Sequence, residues 1–94
     1  MVSEFVESKS KFEQVADNIL GSETINEKDL SAFSKDEIRK LKNTIYAKHG
    51  RRFKSVDLQD YFNTKKWYTI NENYSDNLLT ENDLNNSKII QKYE

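Results

Sequence analysis

Residues 43–53 read NTIYAKHGRRF and lie where the strongest predicted helix of the chain ends. The stretch contains the only histidine, one of the two glycines and the densest group of basic side chains. Glycine after a helical segment is the usual residue of a left-handed helix stop, so Gly50 predicts a turn here. Lys48 and His49 precede it, at a position where cations stabilise the C-terminus of a helix.

The segment before this turn carries clear helix signals. Ser34 and Glu37 match a capping box, in which each side chain bonds the other residue's backbone amide. Apolar residues at helical spacing then predict the buried face: Ile38, Leu41 and Ile45. Together these signals predict a helix over about residues 35–49.

Two further main helices are predicted downstream. One begins after Ser55, covers about residues 56–63 and is expected to turn Leu58, Tyr61 and Phe62 inward. The other follows a second capping box, Thr80 with Asp83, and covers about residues 81–92. Its expected buried residues are Leu84, Ile90 and Tyr93.

The N-terminal part of the chain has weaker signals of secondary structure. Residues 1–18 are mostly polar and are interpreted as a linker or an additional helix, which Gly21 would end; residues 19–94 form the predicted domain. Because strand-like alternation is weak throughout, the predicted fold is all-α. We expect a small compact bundle of three main helices with short helical turns and a possible N-terminal helix.

Composition limits the kinds of site that the chain can form. The 94 residues are 35% hydrophobic and 12% aromatic, which suits one small domain with a thin core. The absence of cysteine excludes disulfides and thiolate metal sites, and one histidine excludes a multi-histidine metal site within the chain. No apolar run approaches the roughly 18 residues of a membrane helix. We therefore predict no metal, no cofactor and no membrane insertion by this segment.

The charges of the chain are unevenly distributed. Residues 35–54 carry eight basic and two acidic side chains, whereas both flanking segments are acidic and the net charge is −1. One interpretation is intramolecular, with a basic helix packed among acidic neighbours. The other is a surface that binds polyanions through lysine and arginine. Nucleic acid is the less favoured polyanion because the chain as a whole is not basic.

Residues 45–50, read as IYAKHG, resemble the motif that names the YARHG domain. The resemblance extends over about residues 19–93. It includes the lead-in segment 30–39, the residues after the motif at 52–54, 58, 61–62 and 66–68, and the segment 74–79. One departure is Lys48, which stands where the motif has arginine; lysine keeps the charge and lacks the bidentate donor.

This resemblance implies an extracellular module of a bacterial protein, held at the cell envelope through a longer, membrane-anchored parent. Its implied partners are a cell-wall polymer, such as peptidoglycan or teichoic acid, or an envelope protein. The family carries no established catalytic residues to transfer. The function expected from sequence is therefore non-catalytic binding in the envelope.

Six residues are candidates for ligand contact: Tyr46, His49, Arg51, Arg52, Trp67 and Tyr68. Each aromatic or imidazole ring also has a structural interpretation. His49 is suited to donating a hydrogen bond to a carbonyl beside the buried helix face, and Tyr46 lies at the border of that face. Trp67 and Tyr68 either close the core or, beside Lys65 and Lys66, stack on sugars or bases.

Two other functional classes remain open. A structural spacer or a protein-interaction domain without a small ligand would use the motif only for folding. A hydrolase that depends on His49 is less favoured, because no nucleophile or orienting carboxylate is evident beside it in the sequence.

Overall fold

A computed structural model of the chain describes residues 10–94, and every regular element in that range is helical. The elements are α1 (Lys11–Leu20), α2 (Glu27–Leu30), α3 (Lys35–Ala47), α4 (Val56–Asn63), a 3₁₀ turn (Asp76–Leu78) and α5 (Glu81–Gln91). The all-α prediction and its three main helices are confirmed. Helix α3 ends two residues earlier than predicted because residues 48–50 form the turn itself.

Local capping interactions set the beginnings of the long helices. In a capping box the first side chain accepts from the amide three residues on, and the acidic side chain accepts from the first amide. Three such boxes are present: Ser10 with Glu13 in α1, Ser34 with Glu37 in α3, and Thr80 with Asp83 in α5. Two of the three, those of α3 and α5, are predicted from sequence.

The main core lies between α1, α3 and α5. The predicted stripe of α3 is buried, and apolar residues from α1, α2, α5 and the loop before α2 complete the cluster: Val15, Ile19, Ile25, Leu30, Ile38, Leu41, Ile45 and Ile90. Helix α1 begins in the segment 1–18 that was interpreted as a linker or additional helix, and it ends two residues beyond that segment. It contributes Val15 and Ile19 to the core. Residues 1–9, the first half of that segment, lie outside the described range.

A second, aromatic cluster joins α4 to the end of α3. Phe62, Leu58 and Ala47 are buried in it, and Phe53, Tyr61 and Tyr68 pack around them. The Phe53 and Phe62 rings stack with centroids 5.0 Å apart. The inward orientation predicted for α4 is confirmed for Leu58 and Phe62, while Tyr61 is half-buried.

Helix α5 is rotated relative to the prediction. Ile90 is buried and Tyr93 half-buried, but Leu84 is 48% exposed. In the first turns of α5, Asp83 and Asn86 face inward instead, and both are fully buried. Because Leu84 follows Asp83 by one residue, about 100° around the helix, it points away from the core.

Gly50 adopts the predicted left-handed conformation, with φ of +93°. The backbone passes very close to a later loop there, since the Asn71 amide donates to the Gly50 carbonyl over 2.8 Å. A Cβ on residue 50 would lie 2.5 Å from the Asn71 Cβ. Gly50 is therefore required both by its dihedral angle and by this contact.

Candidate functional site

Lys48 and His49, the two residues before Gly50, converge on one carboxylate at the start of α5. The Lys48 Nζ lies 2.6 Å from Asp83 Oδ1, and the His49 Nε2 lies 2.8 Å from Asp83 Oδ2. Asp83 is fully buried, and the Lys48 side chain is only 9% exposed. The motif residues thus form an interior ion-pair cluster, which we call the motif clamp.

The motif clamp also reaches α1. Lys48 donates to the Ile19 carbonyl over 2.8 Å and to the Ser22 hydroxyl over 3.2 Å. Asp83 Oδ2 accepts from the Thr80 amide over 3.0 Å, as part of the α5 capping box. One lysine and one aspartate therefore connect the C-terminal end of α1, the end of α3 and the beginning of α5.

The protonation states in the clamp follow from these contacts. Burial by itself raises the pKa of a carboxyl group, but bonds from Lys48, the Thr80 amide and His49 outweigh it and lower the pKa of Asp83 to about 2. Asp83 is therefore ionised at neutral pH and can only accept hydrogen bonds. His49 must then carry a proton on Nε2, since that atom faces the carboxylate.

Most other basic residues of the central segment are paired within the chain. Arg39 contacts Asp57 over 2.7 Å, Lys42 contacts Glu94 over 2.9 Å, and Lys40 contacts Asp36 over 3.0 Å. These partners come largely from the acidic flanking segments. The intramolecular interpretation of the charge pattern therefore accounts for most of α3.

Arg51 and Lys54 are not paired in this way. Among residues 10–94, no carboxylate lies within ion-pair distance of either side chain. The Arg51 guanidinium instead lies over two rings, 5.1 Å from the Tyr46 centroid and 5.9 Å from the Phe53 centroid. Arg52 is exposed and contacts Glu72 over 2.8 Å.

These residues line a surface cavity of about 320 Å³, which we call the basic cleft. Arg51, Arg52 and Lys54 supply its cations, and Phe53 and Leu58 supply apolar surface. A cavity with several fixed cations and an apolar wall suits an anionic group carried on a larger molecule.

A second cavity, of about 140 Å³, lies between α1 and the segment after α4, and we call it the aromatic cleft. Its lining includes Phe12, Glu13, Ala16, Tyr61, Lys65 and Trp67. Trp67 is 38% exposed, and its ring makes edge contacts with Phe62 and Tyr68. The Lys65 Nζ lies 4.6 Å from the Tyr61 ring centroid.

The six candidate residues do not form one surface. Arg51 and Arg52 line the basic cleft, Tyr46 lies beneath Arg51, and Trp67 lines the aromatic cleft. Tyr68 packs in the aromatic cluster and donates its hydroxyl to the Arg51 carbonyl over 2.7 Å. His49 belongs to the motif clamp, where it contacts a carboxylate and not the carbonyl expected from sequence.

Several important residues were not candidates in the sequence analysis. Asp83 appeared there only as half of a capping box, and nothing in its local pattern indicates a buried partner of Lys48. Asn86 is a further case: its side chain accepts from the Ile25 amide and donates to the Glu23 carbonyl, while fully buried. The only sequence signal for the clamp is the motif itself.

The family model of the YARHG domain matches residues 15–94. The chain belongs to the YARHG domain family. The match begins inside α1 and covers α2 to α5 completely, including the motif clamp and the basic cleft. Phe12 and Glu13 of the aromatic cleft precede it. Among curated proteins, no sequence matches the chain.

One solved structure is similar to this YARHG domain. It is the crystal structure of a protein from Legionella pneumophila that is named a "putative nutrient binding protein". The two share 40% sequence identity with a TM-score of 0.71, over 86% of this chain. The YARHG chain spans only a quarter of the length of that protein.

In residues 10–94, no three histidine, cysteine, aspartate or glutamate side chains group closely enough to ligate a metal ion. Within the same range, no helix has the length and apolarity of a membrane span.

Proposed function

We propose that this YARHG domain is a non-catalytic binding module of a bacterial envelope protein, and that its basic cleft binds an anionic cell-wall polymer. The observation that carries the proposal is Arg51, a cation fixed over two rings beside Lys54, without a carboxylate partner in residues 10–94. Family membership and the name of the similar Legionella protein support a binding role. An extracellular position, tethered through a longer parent, is part of the proposal.

The chemistry of the basic cleft favours a polymer over a free small anion. Guanidinium groups suit phosphate and carboxylate, which they contact in a fixed planar geometry. Phe53 and Leu58 add apolar surface that a small inorganic ion could not use. Teichoic acid, with repeated phosphates, and peptidoglycan, with peptide carboxylates, both carry such groups on a larger backbone.

His49 is better explained by folding than by catalysis. A catalytic histidine needs a carboxylate that orients its ring, and Asp83 has that position. However, Asp83 is also paired with Lys48 and with the Thr80 amide. These contacts give Asp83 a structural role, because they hold three helices together. The hydrolase alternative is accordingly not favoured by this geometry.

Sedimentation with purified cell-wall sacculi tests the proposal. We expect the domain to pellet with sacculi, to pellet less as salt is raised, and to lose binding once anionic polymers are stripped. The double variant Arg51→Gln/Lys54→Gln should pellet much less than the wild type. It removes two charges from the cleft while leaving the Arg52–Glu72 pair in place.

The matched control is Lys66→Gln/Lys88→Gln, which removes the same charge from exposed positions outside the basic cleft. Equal loss of binding in both double variants would indicate a general charge effect and would contradict the basic cleft as the site. Equal pelleting of all three proteins with intact sacculi would contradict it as well.

A structural spacer or protein-interaction domain is the second candidate. It is favoured by the internal pairing of most central basic residues, because paired charges add little to polyanion binding. Failure of the domain to pellet with either wall preparation would favour this candidate. The search would then turn to protein partners of the full-length parent.

A further inference from the structure

The aromatic cleft is a second candidate site with a different chemical character from the basic cleft. Its apolar wall is formed by Phe12, Ala16 and Leu20, and its polar lining comes from Glu13, Asp17, Thr44, Tyr61 and Lys65. A ligand that fits it therefore needs an apolar part and groups that both donate and accept hydrogen bonds.

Glu13 and Lys65 line the same cavity without pairing to each other in the described chain. Each is positioned by a separate contact. Glu13 Oε1 accepts from the Ser10 amide in the α1 capping box, and Lys65 lies over the Tyr61 ring. One fixed acceptor and one fixed donor thus face a shared space, which suits hydroxyl groups because a hydroxyl can donate to one and accept from the other.

Trp67 supplies a rigid exposed ring at the same cavity. Its centroid lies 6.0 Å from that of Phe62, at an interplanar angle of 64°, and 6.3 Å from that of Tyr68, at 87°. These contacts orient the indole while 38% of the residue stays exposed. A large apolar ring presented beside charged groups matches a ligand with one apolar face and a polar edge.

From these three features we propose that the aromatic cleft binds an N-acetylated sugar unit of a glycan. The sugar ring packs against Trp67, and its hydroxyl groups bond Glu13 and Lys65. The acetamido methyl group lies against the apolar wall of Phe12, Ala16 and Leu20. This site is separate from the basic cleft, and sugar binding does not rest on the function proposed for that cleft.

The two clefts are connected through one aromatic cluster. The Phe62 ring is 6.0 Å from Trp67 and 5.0 Å from Phe53, and Phe53 is 5.9 Å from the Arg51 guanidinium. The distance from the Trp67 ring to the Arg51 guanidinium is therefore no greater than the sum of these three distances. One wall polymer that carries both sugars and anionic groups can therefore contact both clefts.

Intrinsic fluorescence tests the sugar site directly, because Trp67 is the only tryptophan of the chain. The probe is the neutral tetramer of N-acetylglucosamine, added to the wild-type chain. We expect a saturable change in Trp67 emission that persists when salt is raised, since no charge on the probe is involved. Cellotetraose, which lacks acetamido groups, should give a weaker response at the same concentration.

Two variants assign the effect to the cleft. Glu13→Gln retains the capping box, since glutamine also serves in it, and should weaken tetramer binding roughly tenfold by removing a charged hydrogen-bond partner. Lys66→Gln is the control, because Lys66 is exposed and does not line the aromatic cleft. Circular dichroism melting checks that both variants fold.

An unchanged Trp67 emission and an unchanged indole N–H resonance in the presence of the tetramer would overturn the proposal. An equal response to cellotetraose would overturn the acetamido assignment, and equal affinity of Glu13→Gln would overturn the placement of the sugar. These results are independent of sedimentation with sacculi, which reports on the basic cleft. Failure of one site is therefore distinguishable from failure of the other.

Discussion

Lys48 and Asp83 form a buried ion pair whose charged atoms are 2.6 Å apart, between the end of α3 and the beginning of α5. Lys48 stands at the motif position where the family has arginine, so this variable cation is a structural element of the fold here. The same lysine reaches the Ile19 carbonyl of α1. Lys48 and His49 of the family motif thus lie at an interior contact between α1, α3 and α5.

The first prediction concerns the energy of this ion pair. Lys48→Met removes the lysine partner of Asp83 while the carboxylate stays buried. We expect this to lower the free energy of unfolding by about 3–5 kcal/mol. Urea denaturation followed by circular dichroism measures this change. Lys48→Arg restores the family residue and should cost far less, because arginine can still donate to Asp83.

A double-mutant cycle separates the pair from other effects of these substitutions. In Lys48→Met/Asp83→Asn neither charge remains unpaired, so the double variant should be less destabilised than the two single variants added together. Strictly additive losses would show that Lys48 and Asp83 do not interact energetically.

The second prediction concerns acid stability. The pKa of Asp83 is lowered to about 2 in the folded chain, while an unfolded aspartate titrates near about 3.9. A lowered pKa contributes stability that is complete above about pH 4 and is lost as the pH falls toward about 2. Asp57, whose pKa the Arg39 guanidinium lowers, acts in the same direction.

Asp83→Asn isolates the contribution of Asp83 from that of Asp57. The variant should be clearly less stable than the wild type near neutral pH. The difference should shrink as the pH falls through about 2, where Asp83 becomes protonated in the folded chain. Thermal melting at a series of pH values provides the measurement. A stability difference that stays constant across this range would contradict the lowered pKa.

The third prediction compares the two glycines of the chain. Gly50→Ala places a Cβ 2.5 Å from the Asn71 Cβ at a φ of +93°, so we expect a loss of at least about 2 kcal/mol in unfolding free energy. Gly21 has a φ of −86° and no neighbour closer than 3.5 Å to such a Cβ. Gly21→Ala should therefore stabilise the chain by about 0.4–1 kcal/mol.

Chemical denaturation of the two variants decides the matter. Similar stability of Gly50→Ala and Gly21→Ala would show that the loop carrying Asn71 can move to accommodate the Cβ. The close approach at Gly50 would then contribute little to stability.

The fourth prediction concerns Asn86, which bridges α5 to the chain before α2. Its amide satisfies both the Ile25 N–H and the Glu23 carbonyl. Asn86→Ala leaves those backbone groups without their partner and should cost about 2–3 kcal/mol of unfolding free energy. Asn85→Ala, at the neighbouring exposed position, is the control and should change stability by less than about 0.5 kcal/mol.

Hydrogen exchange adds a residue-specific measurement for the same variant. The Ile25 amide should lose protection in Asn86→Ala before the amides in the middle of α3 do. Unchanged protection of Ile25 would mean that water or another group replaces the asparagine.

Sequence by itself determined the three main helices and where each of them begins. Capping boxes, helical spacing and a left-handed glycine act over three or four residues, so their consequences can be read from neighbouring letters. For this reason the beginnings of α3 and α5, the buried stripe of α3 and the turn at Gly50 were all predictable. The family was recognisable in the same way, since its motif is a short contiguous pattern.

Tertiary structure alone decided which side chains meet across the core. His49 and Asp83 are 34 residues apart, and their contact depends on how α3 and α5 pack. The sequence analysis placed Leu84 inside, because apolar residues usually face the core. In the folded chain that face belongs to Asp83 and Asn86. Lys48 and His49, just after α3, and the Ile25 amide, in the loop before α2, need polar partners there. The same packing divided the six candidate residues between an interior clamp and two separate clefts.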